Sequence, residues 1–264
     1  MTAQSRPILR WHGGKWRIAP WIIERMPPHK CYVEPFGGGA SVLLRKPRSR
    51  LEVYNDLDAS LVRLFRVLRT RAGELSAAVS LTPFARDEFA QAYKPTDDDL
   101  EHARRFLIRS HMGFGSNGAN RITGFRAAGL RAGPLPVHQW TTLPHIITST
   151  AERLRGVVIE NRPAIDVMQA NDGETTLHYV DPPYMAETRS DTKADYAHEM
   201  TDADHAALLD ALCDLRGTVI LSGYSHPLYD KRLASWHRET RKTVGDRASA
   251  RVEVLWISRR EVLF

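Results

Sequence analysis

The chain has 264 residues, of which 42% are hydrophobic and 26% charged. That is enough for a full core, either one large α/β domain or a core with an inserted subdomain. No apolar run reaches the roughly 18 to 20 residues of a membrane span, and the start MTAQSRPILRW has no signal-peptide core, so an intracellular, cytoplasmic protein is expected. Cys31 and Cys213 lie far apart, each in a segment that looks like core. No histidine or cysteine pair has zinc-like spacing, so no structural metal is expected.

The net charge of +6 is segregated along the chain. Residues 1–50 carry ten Lys/Arg against two Asp/Glu and residues 101–155 eight against two, while 51–100 and 156–264 are net acidic. Two basic blocks suit a polyanion, because clustered Arg and Lys make phosphate contacts; a generally basic, well-solvated surface is the other reading.

In chain order, the helical pattern WRIAPWIIERM (16–26) precedes a strand, CYVEP (31–35), that runs into Phe36 and three glycines, 37–39, followed by helix-compatible SVLL. Such a loop lets the backbone pass close to a ligand, as in the first turn of a Rossmann-like sheet, or serves as a tight strand-to-helix turn with no ligand. It has neither GxGxxG spacing nor GK[ST], which disfavours dinucleotides and triphosphates. The second strand is LEVYN (51–55). Asp56 just beyond it stands where a Rossmann-like sheet binds ribose, since a carboxylate can accept from both hydroxyls; it can also cap the helix LDASLVRLFRVLR (57–69).

From about residue 70 to 150 no convincing strand occurs. Helical stretches FARDEFAQAY (84–93) and DLEHARRFLIRSHM (99–112) lead into a Gly, Asn and Arg-rich segment, GFGSNGANRITGFRAAGLRAGP (113–134), and the whole reads as a separate lobe. There Asn117, Asn120, Arg121 and Arg126 are candidate base readers, since Asn can pair adenine and Arg guanine bidentately, each discriminating by about 1–3 kcal/mol. The alternatives are that the arginines meet phosphates only, or that the loop caps the helix ending near Met112. Arg104, Arg105 and Arg109 read as phosphate contacts or as part of a solvated helix face.

The strand GVVIE (156–160) follows, then TLHYVD (176–181), the helix DADHAALLDALCDL (202–215), TVILS (218–222) and HPLYDKRLASW (226–236). WHRETRKT (236–243) and VEVLWIS (252–258), separated by GDRASA, read as a hairpin closing the sheet edge. Strands alternating with helices imply a mostly parallel sheet covered on both faces. TLHYV must stop at Asp181, because neither Pro182 nor Pro183 can donate to a ladder. Asp181 then sits at a strand's carboxyl end on a stiffened backbone, ahead of an exposed-looking Tyr184; a proline-rich turn with an Asp cap is the plainer reading.

With RWHGGKW (10–16), VEPFGGGAS (33–41), YNDLD (54–58) and DPPY (181–184) in that order, the chain resembles the DNA adenine methyltransferases, which modify the exocyclic amine using S-adenosylmethionine. The resemblance implies a Rossmann-like, mostly parallel sheet with a C-terminal antiparallel hairpin and an inserted, mainly helical lobe. Residues 1–69 and 153–264 would form the catalytic domain and 70–152 the target-recognition lobe. By position it implies cofactor contacts from Trp11, Lys15 and Glu34, a loop of Phe36, Gly37, Gly38 and Gly39 beneath the methionine portion, Asp56 on the ribose and Asp166 near the adenine. Asp181 would also border the cofactor. Double-stranded DNA is the implied partner, at a short site containing adenine, GATC among the candidates; neither a membrane nor an obligate protein partner is implied.

Within that resemblance DPPY acquires a chemical reading. The adenine amine is a poor nucleophile because its lone pair is delocalised into the ring. Asp181 and the Pro182 carbonyl, as fixed acceptors for its two hydrogens, would restore lone-pair character with little reorganisation. Tyr184 would offer a flat face to a base flipped out of the stack. In-line transfer needs no metal and no covalent enzyme intermediate, only positioning. The rivals are a methyltransferase for another planar amine, in RNA or a cytosine, and a DNA-binding relative without activity; Asp rather than Ser at position 181 disfavours cytosine.

Overall fold

The computed structural model describes residues 4–126, 135–188, 198–244 and 250–258. The end of the Gly- and Arg-rich segment and most of GDRASA lie outside them. Two compact units divide the chain. One comprises Met1–Pro20, Gly38–Lys46 and Ala59–Arg155, the other Trp21–Gly37, Pro47–Asp58 and Gly156–Phe264.

The second unit holds a seven-stranded sheet. Its strands are β1 (Cys31–Glu34), β2 (Leu51–Asn55), β3 (Val157–Glu160), β4 (Thr176–Val180), β5 (Thr218–Gly223), β6 (His237–Val244) and β7 (Ala250–Ile257), in the order β3-β2-β1-β4-β5-β7-β6. The first five run parallel, whereas β7 pairs antiparallel with both β5 and β6. The expected Rossmann-like sheet with its C-terminal hairpin is therefore present. Every residue of β4 and β5 is buried, which is why TLHYV and TVILSG read as continuous apolar runs rather than alternating ones. Val180, Val219, Leu221, Val254 and Trp256 form one core with Leu208, Leu209 and Leu212 of a helix at Asp202–Asp214. That helix begins in a capping box between Thr201 and Asp204.

The edge strand β6 carries exposed Arg238, Thr240 and Lys242, and the opposite edge, β3, is only four residues long. Cys213 is exposed rather than in the core, because it lies off the apolar stripe of its helix, while Cys31 is half-buried. Among the described residues no helix is long and apolar enough to cross a membrane, and no group of three or more His, Cys, Asp or Glu could hold a metal.

The first unit is helical: α2 (Ala59–Thr70), α3 (Ala72–Leu81), α4 (Arg86–Gln91), α5 (Asp99–Met112), α6 (Pro136–Thr141) and α7 (Leu143–Arg153) follow the short α1 (Ala19–Ile23), which straddles the division between the units. It extends past the 70–152 span expected from sequence, taking in residues 1–20, 38–46, 59–69 and 153–155. In α2 the buried residues Leu61, Val62, Leu64, Phe65, Val67 and Leu68 form one apolar face. SVLL does not form a regular helix. Leu44 and Lys46 donate to the carbonyls of Ala40 and Val42 in successive turns, between the positive φ of Ala40 and Pro47, which disfavours helical geometry just before it.

Candidate active site

In the strand order β3-β2-β1-β4-β5, the chain moves one way from β1 to β3 and the other way from β4 to β5, so the order turns back between β1 and β4. Open α/β sheets bind ligands at such a point, outside the carboxyl ends of the strands. Phe36 and Gly37 follow β1, Asp56 follows β2, and Asp181 and Pro182 follow β4. The sheet thus brings three sequence-predicted segments to one end of three neighbouring strands.

Asn55, at the end of β2, fastens this end together. Its side chain is fully buried. Nδ2 donates to the carbonyls of Pro35 (2.8 Å) and Arg162 (3.0 Å), and Oδ1 accepts from the Arg162 amide (2.9 Å). The Asn55 carbonyl accepts from the Gly37 amide at 2.8 Å. One residue therefore pins the loops after β1 and β3. Gly37 has no room for a side chain, since a Cβ there would lie 2.1 Å from the Tyr54 ring. Gly38 has φ +47, and a Cβ would meet the Trp11 indole nitrogen at 2.6 Å. Glycine is required at both positions, once for close approach and once also for backbone conformation.

Asp56 is half-buried. Its Oδ1 accepts from the Asp58 amide at 2.9 Å, an Asx turn before α2, and its carbonyl accepts from Asn161 Nδ2 at 2.7 Å. The capping alternative therefore resolves into a turn that orients the carboxylate. Glu34 is buried and its Oε2 accepts from the Tyr32 hydroxyl at 2.6 Å. Burial first and Glu34 second push the Tyr32 hydroxyl well above the usual phenol range, so it stays a donor. Phe36 packs on the sheet core. Asp166 is exposed in the first turn of α8 (Ala164–Ala170). The charged side chains directly after β2, Asp56 and Asp58, are both carboxylates, a donor set that fits ribose hydroxyls rather than phosphate.

Asp181 is half-buried, with Oδ1 shielded from solvent, and Pro182 is buried. Tyr184, exposed-looking in sequence, is only 7% exposed, because its hydroxyl turns inward between β5 and β7. It donates in a short hydrogen bond to Glu253 Oε1 and lies 3.3 Å from Ser222 Oγ. The Tyr224 ring meets it edge-on, 4.6 Å between centroids at 71°. Burial, then the carboxylates of Asp181 and Glu253, hold the Tyr184 hydroxyl well above the usual phenol range.

In the helical unit, the RWHGGKW motif is anchored on α5. The Arg10 amide donates to Ser110 Oγ (2.9 Å), Ser110 Oγ donates to the Arg10 carbonyl (3.1 Å), and His111 Nε2 donates to the Ile8 carbonyl (2.9 Å). Trp11 stacks on Phe106 with centroids 6.3 Å apart. Lys15 is buried, its Nζ donating to the Gly13 carbonyl at 2.7 Å.

Residues 113–126 form a closed loop: Gly113 bridges Phe125, Phe114 donates to Gly124, and Arg126 donates to Met112. The Tyr93 hydroxyl ties it from within by donating toward the Gly118 and Arg121 carbonyls. Asn120 and the Arg121 side chain are half-exposed here, and the Asn117 carbonyl accepts from both their amides. Arg126 reaches Gln139 Oε1 at 3.2 Å, and burial lowers its pKa. Arg109 donates to the Ala92 carbonyl at 2.8 Å and lies over the Phe106 and Tyr93 rings. Arg104 pairs with Glu101 and Glu88, and Arg105 with Glu101. These three arginines brace the helices, a use that periodicity alone does not separate from phosphate binding. Sequence reasoning passed over Phe114 (69% exposed) and Ile122 (81% exposed), whose signal was an apolar residue inside a glycine-rich loop. It also passed over Asn55 and Glu253.

Comparison with known proteins assigns the chain to a family. A family model described as D12 class N6 adenine-specific DNA methyltransferase matches residues 11–243. The DNA adenine methylase of Escherichia coli (strain K12) is 26% identical over 189 residues, covering 69% of this chain and 66% of that protein. A DNA adenine methylase of Salmonella typhi is 24% identical over the same length and shares. A type II methyltransferase of Lactococcus lactis subsp. cremoris is 27% identical over 282 residues, 94% of this chain and 93% of its own. The match to the methylases thus spans slightly under two thirds of their length.

Proposed function

Because the chain belongs to the D12 class N6 adenine-specific DNA methyltransferase family, we propose that it transfers a methyl group from S-adenosylmethionine to the exocyclic amino nitrogen of adenine in duplex DNA. The observation that carries this reading is the Asp181–Tyr184 corner at the end of β4, beside the Phe36–Gly37 loop and where the strand order turns back.

S-adenosylmethionine, when bound, supplies a methyl group activated by a sulfonium. Asp56 is the acceptor for its ribose hydroxyls and Phe36 a wall packed against the core, with Glu34 and Asp166 at the same end of the sheet. On the family pattern Trp11, Lys15, Gly38 and Gly39 are further candidate cofactor contacts. The Asp181 carboxylate and the Pro182 carbonyl accept from the two amine hydrogens, so that the nitrogen lone pair turns toward the methyl group as positive charge grows. The proline-locked backbone keeps both acceptors aimed before substrate arrives. Tyr184 presents a ring to the flipped base, where stacking on an aromatic contributes about 1–3 kcal/mol and offsets part of the cost of extrusion.

Target recognition falls to residues 70–152, and within them to the 113–126 loop. Asn120 and Arg121 are its candidate base readers, and Asn117 and Arg126 shape it. Phe114 and Ile122 are the kind of exposed apolar groups that press between base steps. Arg109 supports the loop's parent helix and remains its candidate phosphate contact. Such a substrate fits a protein of the cytoplasm.

Incubation with S-adenosylmethionine labelled in its methyl group and plasmid DNA, followed by mapping of methylated bases, tests the reading. Label in N6-methyladenine within a defined short sequence is the expected product, and Asp181→Ala removes it while cofactor binding persists. Label in cytosine, or in RNA supplied in a parallel reaction in place of plasmid, or undiminished transfer by Asp181→Ala, would sink the assignment.

A further inference from the structure

Glu253 is buried on β7, and Ser222 is buried on β5. The antiparallel register pairs Ser222 with Leu255 and Gly223 with Val254, so Glu253 comes opposite the residue after β5, on the same face as Ser222. Its Oε1 accepts from the Tyr184 hydroxyl and from Ser222 Oγ at 3.0 Å. Burying a carboxylate is costly unless hydrogen bonds replace its water, and here they come from two hydroxyls, one of them belonging to DPPY. A second layer continues outward. Arg251, two residues earlier on β7, donates to the Tyr224 hydroxyl at 2.9 Å and lies over the Tyr224 ring, which meets Tyr184 edge-on.

We propose that Glu253 is a positioning residue for methyl transfer, fixing the plane and depth of the Tyr184 ring through its hydroxyl with Ser222 as co-anchor and Tyr224 as lateral support. This inference rests on the adenine-transfer reading and deepens it. Tyr184 has two torsions to fix. The hydrogen bond to Glu253 restrains the far end of the side chain, the edge-on contact blocks rotation of the ring, and the two prolines restrain the near end. The stacking face is then preformed beside Asp181 and needs no ordering when a base arrives, which concentrates the effect in the transfer step. The hydroxyl, which plays no part in stacking, thereby acquires a reason to be there.

The test uses the full-length protein and a short duplex bearing one target adenine, with 2-aminopurine at that position in a parallel set. Glu253→Ala and Tyr184→Phe each lower kcat about 10- to 100-fold with the KM for cofactor unchanged, and weaken the fluorescence rise that reports a flipped base. The double variant is no worse than the poorer single one, because both remove the same contact. Glu253→Gln, whose amide oxygen still accepts, retains kcat within about 3-fold of wild type. Should Glu253→Ala not fold, Tyr184→Phe against Glu253→Gln carries the same comparison. Folded Glu253→Ala or Tyr184→Phe with wild-type kcat, or effects that multiply in the double variant, overturns the positioning role. Wild-type protein that fails to methylate adenine would overturn the underlying function instead.

Discussion

Replacing Asn55 with alanine probes the fastening of the strand ends more directly than any change to a reacting group. The substitution removes three hydrogen bonds, to the Pro35 and Arg162 carbonyls and from the Arg162 amide, all from one fully buried side chain. At ~1 kcal/mol net for each, the loss is ~3 kcal/mol, a change on the order of 10²-fold in the folding equilibrium. The backbone bond from Gly37 to the Asn55 carbonyl survives, so the loop loosens rather than detaches. Urea unfolding at pH 7 measures the first effect as a lower midpoint with an unchanged slope. Calorimetric titration with S-adenosylmethionine measures the second, because Phe36 and Asp56 are held in part through this residue. Destabilisation below ~1 kcal/mol together with unchanged cofactor affinity would refute the role given to Asn55.

The other expectations are more local. Asp56→Ala weakens S-adenosylmethionine binding about 10- to 100-fold by calorimetry, the value of hydrogen bonds to a charged acceptor, and an unchanged constant removes Asp56 from the site. Arg121→Ala relaxes sequence preference at one base pair by about 1–3 kcal/mol in competition with altered duplexes; uniform weakening with a shallower salt dependence reassigns it to a phosphate. His111 is fully buried and its pKa is lowered to about 3, chiefly by burial. Above pH 6.5 it is neutral whether folded or not and has no effect. Between pH 6.5 and about 3 only the unfolded chain takes up the proton, so stability falls with pH, by ~2 kcal/mol at pH 5 from this group. His111→Gln unfolded in urea at pH 7 and pH 5 should show that much less pH dependence, and an identical dependence in both proteins would disprove it.

Much of the fold is legible in the sequence because both faces of the central strands are covered. LEVYN, TLHYV and TVILS stand out as short apolar runs, and the prolines at 182 and 183 leave no choice about where β4 stops. The glycine loop is legible too, since Gly37 and Gly38 answer steric demands that only glycine meets. What escaped depends on contacts distant in sequence. Tyr184 reads as exposed until β7 is seen to insert between β5 and β6, which brings Glu253 across 69 residues to its hydroxyl. Asn55 is overshadowed by Asp56, its charged neighbour, and its value appears only when the loop after β3 arrives at Arg162. Arg104, Arg105 and Arg109 show the opposite case, since their ion pairs and ring contacts are not legible from charge and spacing. Charge counted along a helix says nothing about whether a guanidinium meets solvent, a carboxylate three residues away or an aromatic face.

The outermost strand, β6, bears on how copies of the chain behave when crowded. A sheet margin is a template for pairing with another molecule. With Arg238 and Lys242 set along that margin, zipping two copies together would force like charges into register, and four-residue β3 gives too little ladder at the other side. Fibrous or strand-exchanged assembly is thereby discouraged at both margins, by repulsion at one and by brevity at the other.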